Sequence, residues 1–376
     1  MTPDLTIADM RWQAYRIPYR RDFVTGHGTM RVRGGAIVSV TTQAGVVGLG
    51  EIAPLPEFGG ASLAQCLAAL PTVRQHLIGQ PANEALALLL GARDELLHIS
   101  APARYGVEVA LLDAQTRAAG VPLATGWSVE DRAPYLAQVP VNAIIGAVAG
   151  DDAVAQAQRA VAAGFGCVKL KVGALADAAA EVKRVAAVRA AIGPVLHLRL
   201  DANGAWSREQ ARELLLRLAA CDIQYIEQPL PAADLAGMAQ LRTVQPIPVA
   251  ADEALTDAAS AERILRLRAA DVLVIKPQMV GSWQACFEIA RMAQRAGVHY
   301  MVTSAVESGV GVAAALHLAA SLSPALECGL ATLDLLDDDL IRDALVIEQG
   351  AMRVPDAPGL GVTLDDDALA RYAIEI

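Results

Sequence analysis

Six short apolar runs recur through the chain, and each carries a charged or hydroxyl side chain at or near its end. They read CVKLKVG, VLHLRLDANG, IQYIEQPL, IPVAADEAL, VLVIKP and YMVTSAVE, and they present Lys169, Asp201, Glu227, Asp252, Lys276 and Ser304. From Asp201 onward the steps between these residues are 26, 25, 24 and 28 positions. A strand followed by a returning helix consumes about that length, since a (β/α)₈ barrel of about 250 residues spends roughly 30 on each unit. Such barrels place their active sites at the C-terminal ends of the strands. The spacing therefore predicts an α/β fold of the TIM-barrel type, with three carboxylates and three lysines (Lys171 included) converging on one pocket.

The remaining length and composition limit what else the chain can be. Its 376 residues exceed one average domain and suit a barrel with a smaller partner. A hydrophobic fraction of 54% against 19% charged residues describes a packed chain, not a disordered one. The net charge of −10 argues against nucleic-acid partners and against an anionic membrane surface. An anionic ligand must then be drawn in by local positive charge or by a metal. The five cysteines are scattered in apolar contexts and read as buried free thiols of a reducing compartment. No apolar run reaches the roughly 20 residues of a membrane span. MTPDLTIADMRW lacks the pattern of a signal peptide, so a cytoplasmic location is expected.

Patterning divides the chain into three parts. Met10–Pro18, Gly35–Thr42 and Val46–Ala53 read as strands of a small antiparallel sheet. Ala61–Leu97 and Ala103–Ala119 read as helical, and Gly120-Val121-Pro122 breaks the pattern. From about Tyr135, strands alternate with helices such as Asp151–Ala163 and Ala176–Ala191, which implies a parallel sheet. Beyond Ala344, strand and loop patterns return. The expected layout is an α+β capping domain over 1–125, a barrel over 126–343, and a segment over 344–376 that rejoins the cap.

Asp201, Glu227 and Asp252 end three consecutive strands. Three carboxylates converging in a low-dielectric pocket could not all stay ionised without counter-charge. A hard divalent cation resolves this, and Mg²⁺ suits oxygen ligands that leave positions open for water or substrate. Lys169 and Lys171 lie two apart on one strand and so share a face. Crowding their ammonium groups is expected to lower the pKa of at least one, making a base usable near neutral pH. Lys276, three units further round, should sit across the barrel mouth. Lysines on both sides of a metal site can address both faces of a substrate carbon. A small-molecule carboxylate is the partner this arrangement predicts. Arg199 shares the inward face with Asp201 and is expected to orient neighbouring Lys or Glu side chains. Asn203 either hydrogen-bonds a ligand or closes the turn after Asp201. His76, His98 and His317 lie in helical stretches and read as structural, whereas His27, in VTGHGTM, could reach the site.

The motifs VKLKVG, RLDANGAW, IEQPL, ADEAL and VIKP, in that order, resemble the enolase superfamily and specifically its muconate lactonizing enzyme subgroup. The resemblance covers nearly the whole chain and implies a (β/α)₇β barrel. It also implies Mg²⁺ on Asp201, Glu227 and Asp252, acid–base lysines at Lys171 and Lys276, and Lys169 tuning Lys171. Subgroup members use this machinery for cycloisomerisation, racemisation, dipeptide epimerisation or dehydration. GLGEIAPLPEFG, GHGTMRVRGG, ARYGVEVALLDA and TLDLLDDDL resemble the o-succinylbenzoate synthases among them. TSAVESGVGVAAALHLAA is similar to the region in which those enzymes hold the succinyl carboxylate, which implicates Thr303, Ser304, Glu307 and Ser308 in substrate binding or its support. Ala305 and Gly309 stand where such synthases commonly carry serines. The implied activity is dehydration of 2-succinyl-6-hydroxy-2,4-cyclohexadiene-1-carboxylate, on the route to menaquinone or phylloquinone. A dipeptide epimerase or N-acylamino acid racemase is the alternative, and a monomer or a homo-oligomer is equally compatible. A binding barrel without catalysis would be expected to lack one of the ladder residues, and none is missing.

Overall fold

The computed structural model describes residues 3–25, 28–58, 60–91, 96, 99–126, 135–146 and 148–376. His27 and His98 lie outside these residues, so the expectations placed on them go no further.

The N-terminal part is a three-stranded antiparallel sheet in the order β1 (Ile7–Thr25), β2 (Gly28–Thr42), β3 (Val47–Ile52). Alternate residues of β2, among them Ala36, Val38 and Val40, are buried, as period-two patterning requires of a half-covered sheet. The stretch expected as one helical run from Ala61 is instead three short helices: α1 (Leu63–Ala68), α2 (Leu70–Leu77) and α3 (Ala82–Leu90). Pro71 is tolerated because it falls in the first turn of α2. Gly79, at φ +80°, and Pro81 then force the chain to turn before α3. The long helix α4 (Ala101–Ala119) packs flat on β3. Glycine makes that approach possible, since a Cβ on Gly50 would lie 1.9 Å from the Gly106 carbonyl oxygen.

The barrel contains β4 (Gln138–Pro140), β5 (Ala143–Ile145), β6 (Cys167–Lys171), β7 (His197–Asp201), β8 (Ile223–Glu227), β9 (Val249–Ala251), β10 (Val272–Ile275) and β11 (His299–Val302). Strands β5 to β11 form one parallel sheet of seven in sequential order. The sheet closes through Cys328 and Gly329, which bridge in parallel to Val141 and Thr303 respectively. Seven βα units followed by a closing extended segment is the (β/α)₇β arrangement. The helices covering it are α5 (Gly150–Ala162), α6 (Ala178–Ile192), α7 (Arg208–Leu218), α8 (Leu235–Val244), α9 (Ala258–Arg266), a single turn α10 (Pro277–Val280), α11 (Trp283–Arg295) and α12 (Gly309–Leu322). Their starts are written locally. Ser207 and Gln210 form a capping box on α7, and Asp177, Asp234 and Asp257 cap α6, α8 and α9. Helix α12 is apolar on every side because it is buried on every side.

The tail first pairs with the barrel, through strands β12 (Ile347–Glu348) and β13 (Ala351–Arg353), which join β4. It then meets the cap: the Gly359 N–H donates to the Val121 carbonyl at 2.9 Å, the Leu360 N–H to Asp113 Oδ1 at 2.6 Å, and, after α13 (Asp366–Tyr372), the Ile374 N–H to the Ala14 carbonyl at 3.0 Å. All five cysteines are buried and free. No helix among the described residues is long and apolar enough to cross a membrane.

Candidate active site

The barrel interior is layered. A small apolar plug of Tyr225, Ala250, Val272, Val274 and Met301 fills its middle. Above the plug, at the C-terminal strand ends, β6, β7, β8, β9 and β10 deliver Lys169 and Lys171, Asp201, Glu227, Asp252 and Lys276. Lys169 Nζ lies 2.8 Å from Glu227 Oε1 and 3.1 Å from Asp201 Oδ2. Lys171 Nζ lies 2.7 Å from Asp201 Oδ2 and donates to Asn203 Oδ1 at 2.9 Å. Across the mouth, Lys276 Nζ lies 2.9 Å from Asp252 Oδ2 and sits 5.0 Å from the centre of the Phe58 ring, which the cap supplies. Asn203 Nδ2 donates to Glu253 Oε1 at 2.9 Å, so the turn residue both closes its turn and links the two halves of the ladder.

The charges respond to this crowding. Burial alone would lower Lys169, but the Glu227 and Asp201 carboxylates outweigh it and hold the ammonium well above its usual range. For Lys169, then, the carboxylates and not the crowding of ammonium groups set the protonation state. Lys276 is likewise raised, with burial opposing and Asp252 and Glu253 prevailing. Burial would lift Asp201, yet Lys171 and Lys169 bring it below the ordinary carboxylate range. Glu227 goes the other way, pushed up to about 8 by burial and by the neighbouring Asp201 charge. Burial also raises Asp252, against the pull of Lys276. Two negative charges are thus tolerated poorly where three are supplied.

That imbalance bears on a metal. Glu227 Oε2 is buried without a hydrogen-bond partner, an acceptor left over in a site whose donors are all oxygen. Among the described residues no three carboxylate, imidazole or thiolate groups are gathered at coordinating distance, because the lysines stand between the acids. The donor chemistry and the orphaned oxygen fit a hard divalent cation, which would take carboxylate oxygens that the lysines now hold.

The remaining candidates separate. Thr303 and Ser304 line the same cavity as the lysines, whereas Glu307 and Ser308 do not. The Ser304 hydroxyl donates to Glu307 and accepts from the Val306 N–H at 2.8 Å and the Thr332 hydroxyl at 2.9 Å. One donor and two acceptor positions are all it has, so it holds the loop and has none left for a ligand. Ser308 Oγ donates to Glu51 Oε2 at 2.5 Å, and Glu51 also accepts from Tyr15 and from the N–H groups of Ser308 and Gly311. Ser308 is therefore a tie between barrel and cap, not a substrate contact. Arg199 lies one layer below the site. It donates to Gln224, to the Glu327 carboxylate at 2.5 Å and to the Glu327 carbonyl, and it stacks over Tyr225. It orients neither the lysines nor Glu227, because period two fixes the face of a side chain and not its depth. At Gly309 a Cβ would lie 2.3 Å from the end of the Ile341 side chain, so a serine there requires Ile341 and Asp339 to shift. Phe58 and Glu253 went unassigned in the sequence. Glu253 stood beside Asp252 in ADEAL, while nothing local marks Phe58.

The cavity over the lysines measures about 50 Å³, with Met30, Leu55 and Phe58 of the cap pressed onto it. Ligand sites span about 300–1,000 Å³, so a substrate needs more room than these side chains leave in this conformation. A larger cavity of about 950 Å³ lies nearby between Tyr19–Asp22, α5 and 331–352, but it carries none of the lysines or the three acids, and the chemistry belongs to the smaller one.

Comparison with known proteins agrees with this architecture. Residues 152–368 match the enolase C-terminal domain-like family, and residues 8–125 match the N-terminal domain of mandelate racemase and muconate lactonizing enzyme. The chain belongs to the enolase superfamily, in the muconate lactonizing enzyme subgroup. It is 38% identical over 234 residues to an o-succinylbenzoate synthase of Thermobifida fusca, a match covering 61% of this chain and 69% of that protein. Muconate cycloisomerases, dipeptide epimerases and an N-succinyl-Arg/Lys racemase are also similar. Among solved structures, the muconate lactonizing enzyme of Pseudomonas fluorescens, complexed with muconolactone, superposes with a TM-score of 0.92 at 26% identity, over 99% of this chain and 100% of that one. The dipeptide epimerase of Enterococcus faecalis, complexed with Mg and the dipeptide L-Leu-L-Tyr, gives 0.86 at 27% identity, over 95% and 99%.

Proposed function

We propose that this protein is an Mg²⁺-dependent o-succinylbenzoate synthase that dehydrates 2-succinyl-6-hydroxy-2,4-cyclohexadiene-1-carboxylate. The observation that carries the reading is the placement of Lys171 and Lys276 on β6 and just after β10, facing each other across the carboxylates, in a cavity whose other walls are neutral. Thr303, Ala305, Val306 and Thr332 offer hydroxyl and apolar surface. Asp201, Asp252 and Glu253 bond lysines or Asn203, and the open Glu227 oxygen is the one assigned to the cation, so no acid is set aside for a substrate ammonium group. A dicarboxylate with no amino group suits that wall, and a free dipeptide does not. Over the 61% of the chain that aligns, the 38% identity to the Thermobifida fusca synthase supports the same choice, beside 33% over 84% of the chain to an aromatic dipeptide epimerase.

The residues then divide the work. Mg²⁺ held by Asp201, Glu227 and Asp252 would offset the negative charge that grows on the substrate carboxylate when the adjacent C–H is broken. Lys171 Nζ, held by Asn203 Oδ1 and Asp201 Oδ2, takes the ring proton beside that carboxylate. The same proton returns to the hydroxyl as its C–O bond breaks, so that water leaves and the ring becomes aromatic. Lys276, kept cationic by Asp252 and Glu253, stabilises the opposite face by charge. Lys169 stays protonated and spaces Asp201 from Glu227.

Formation of the aromatic product by the purified, Mg²⁺-loaded enzyme tests this directly, and an enzyme inert on that substrate refutes it. The second reading is an N-acylamino acid racemase. The two-sided lysine pair favours it, and N-acylation removes the ammonium that the cavity cannot receive. Exchange of the α-proton of an N-succinylamino acid in deuterium oxide, at catalytic rates and without dehydration, would select that reading.

A further inference from the structure

Val306 forms part of the cavity wall, and its backbone is held at φ +61°. A β-branched residue in the left-handed region is strained and persists only where the surroundings over-determine it. The surroundings here come from the other domain. Arg33, on β2 of the cap and 4% exposed, donates from Nε to the Val306 carbonyl at 3.0 Å. Its two other nitrogens donate to the carbonyls of Gly34 at 2.7 Å, Pro54 at 2.8 Å and Ala53 at 2.6 Å. Those last two carbonyls immediately precede Leu55 and begin the short segment that ends at Phe58, the two cap side chains that close the cavity from above.

We infer that Arg33 is a positioning residue that fixes the width of the substrate cavity by tying the cap wall at 53–58 to the strained barrel wall at Val306. Its planar fork is suited to this, because donors pointing in several fixed directions can bind carbonyls from two domains at once, whereas a lysine ammonium is a single point. The buried Arg33 cation meets carbonyl oxygens in all four of these bonds, so four of its five N–H donors hold backbone. The ligand-facing groups that result are apolar: Val306 on one side, Leu55 and Phe58 on the other. Arg33 thus acts on what the cavity accepts, through residues that touch the ligand, while the lysines and acids are placed independently by the barrel strands. This inference rests on the cavity being the substrate site, and not on which reaction of the subgroup occurs there.

The test is a double-mutant cycle of R33K and V306G, with hydrogen–deuterium exchange measured on each variant. Glycine occupies the left-handed region without strain, so V306G lets the wall keep its shape without the tie. R33K is expected to raise KM for 2-succinyl-6-hydroxy-2,4-cyclohexadiene-1-carboxylate about tenfold, with kcat within about threefold, the pattern of lost uniform binding. In the V306G background the same substitution should raise KM by no more than about threefold, a coupling expected of residues in contact. Exchange should quicken in the peptides covering 53–58 and 303–308 together and stay unchanged in the strands carrying Lys171 and Asp201. Exchange that quickens throughout the chain, or an equal loss of KM in both backgrounds, overturns the inference. Wild-type enzyme inert on this substrate would refute the proposed synthase, and the exchange pattern would still decide the role of Arg33.

Discussion

His317 lies at the heart of the buried helix α12 and joins three parts of the chain. Its Nδ1 accepts from the Ala124 N–H at 3.3 Å, and its Nε2 faces the Leu360 carbonyl at 3.1 Å. This pair of partners admits one state, a neutral ring with the proton on Nε2, because a proton on Nδ1 would face another N–H. Burial lowers the imidazole from 6.5 to about 4. In the unfolded chain the ring titrates near its ordinary value. Between about pH 6.5 and 4, then, the unfolded state binds the proton and the folded state refuses it. The stability this residue contributes is complete above about pH 6.5 and is lost as the pH falls toward 4. At 1.36 kcal/mol per unit, the depression from 6.5 to about 4 corresponds to about 3 kcal/mol. That is a large share of a stability of order 5–15 kcal/mol.

Glutamine is the informative replacement. Its carbonyl oxygen can accept from Ala124 and its amide can donate to Leu360, yet it does not titrate. Other acids titrate across the same interval, so the quantity to measure is the difference in unfolding free energy between H317Q and wild type, from urea melts at half-unit steps from pH 7.5 to 4. The wild type should lose about 3 kcal/mol more than H317Q across that interval. Two curves that run parallel would refute the reasoning, since the ring would then be protonated equally in both states or not confined at all.

Glu108 should behave with the opposite sign. Burial against the N-terminus of α11 pushes it up to about 7, so its contribution is greatest at low pH and is lost as the pH rises through 4.5 to 7. E108Q should therefore be more stable than wild type relative to pH 5 when both are compared at pH 8, by up to about 3 kcal/mol in urea melts. E227Q should retain its fold by circular dichroism and lose at least about 100-fold in turnover, since a neutral amide gives a cation nothing to neutralise; near-normal turnover in chelator-treated buffer would exclude the three-acid site. K171A should lose proton abstraction altogether, whereas K276A should lose most turnover yet still exchange substrate hydrogen with solvent. Full dehydration by K276A would remove that lysine from the mechanism, and exchange surviving in K171A would reassign the base.

What could be read from the sequence follows a physical divide. The catalytic ladder was legible because each member is placed by its own strand. Lys169 and Lys171 are two apart and so share a face, and Asp201, Glu227 and Asp252 recur at the βα period, so local periodicity alone brings them to one rim. Arg199 obeyed the same rule, and the glutamate it holds is Glu327, which with Gln224 defines a lower layer that no period encodes. Helical composition from Ala61 onward was real, but Gly79 and Pro81 carry more weight than a run of Ala and Leu. The walls of the cavity were the least legible part. Ser308 is bound by Glu51 at a separation of 257 residues, and Val306 by Arg33 at 273. Phe58 reaches Lys276 only because the cap folds over the barrel.

This divide has a consequence for how such a chain can change. On the proposed mechanism, a substitution in the ladder alters charge at the reacting atoms and should remove the chemistry at a stroke. A substitution at a tie between domains leaves the strand ends where they are and shifts Leu55, Phe58 or Val306, which changes the molecule that fits. The two sets overlap little in this structure: the lysines and acids bond chiefly to one another and to Asn203, and the ties at Arg33 and Glu51 are spent chiefly on backbone groups. Similar proteins include a muconate cycloisomerase, an L-Ala-D/L-Glu epimerase, an N-succinyl-L-Arg/Lys racemase and an o-succinylbenzoate synthase. Substrate choice in this protein should therefore respond to changes at the cap–barrel seam that leave proton abstraction by Lys171 intact.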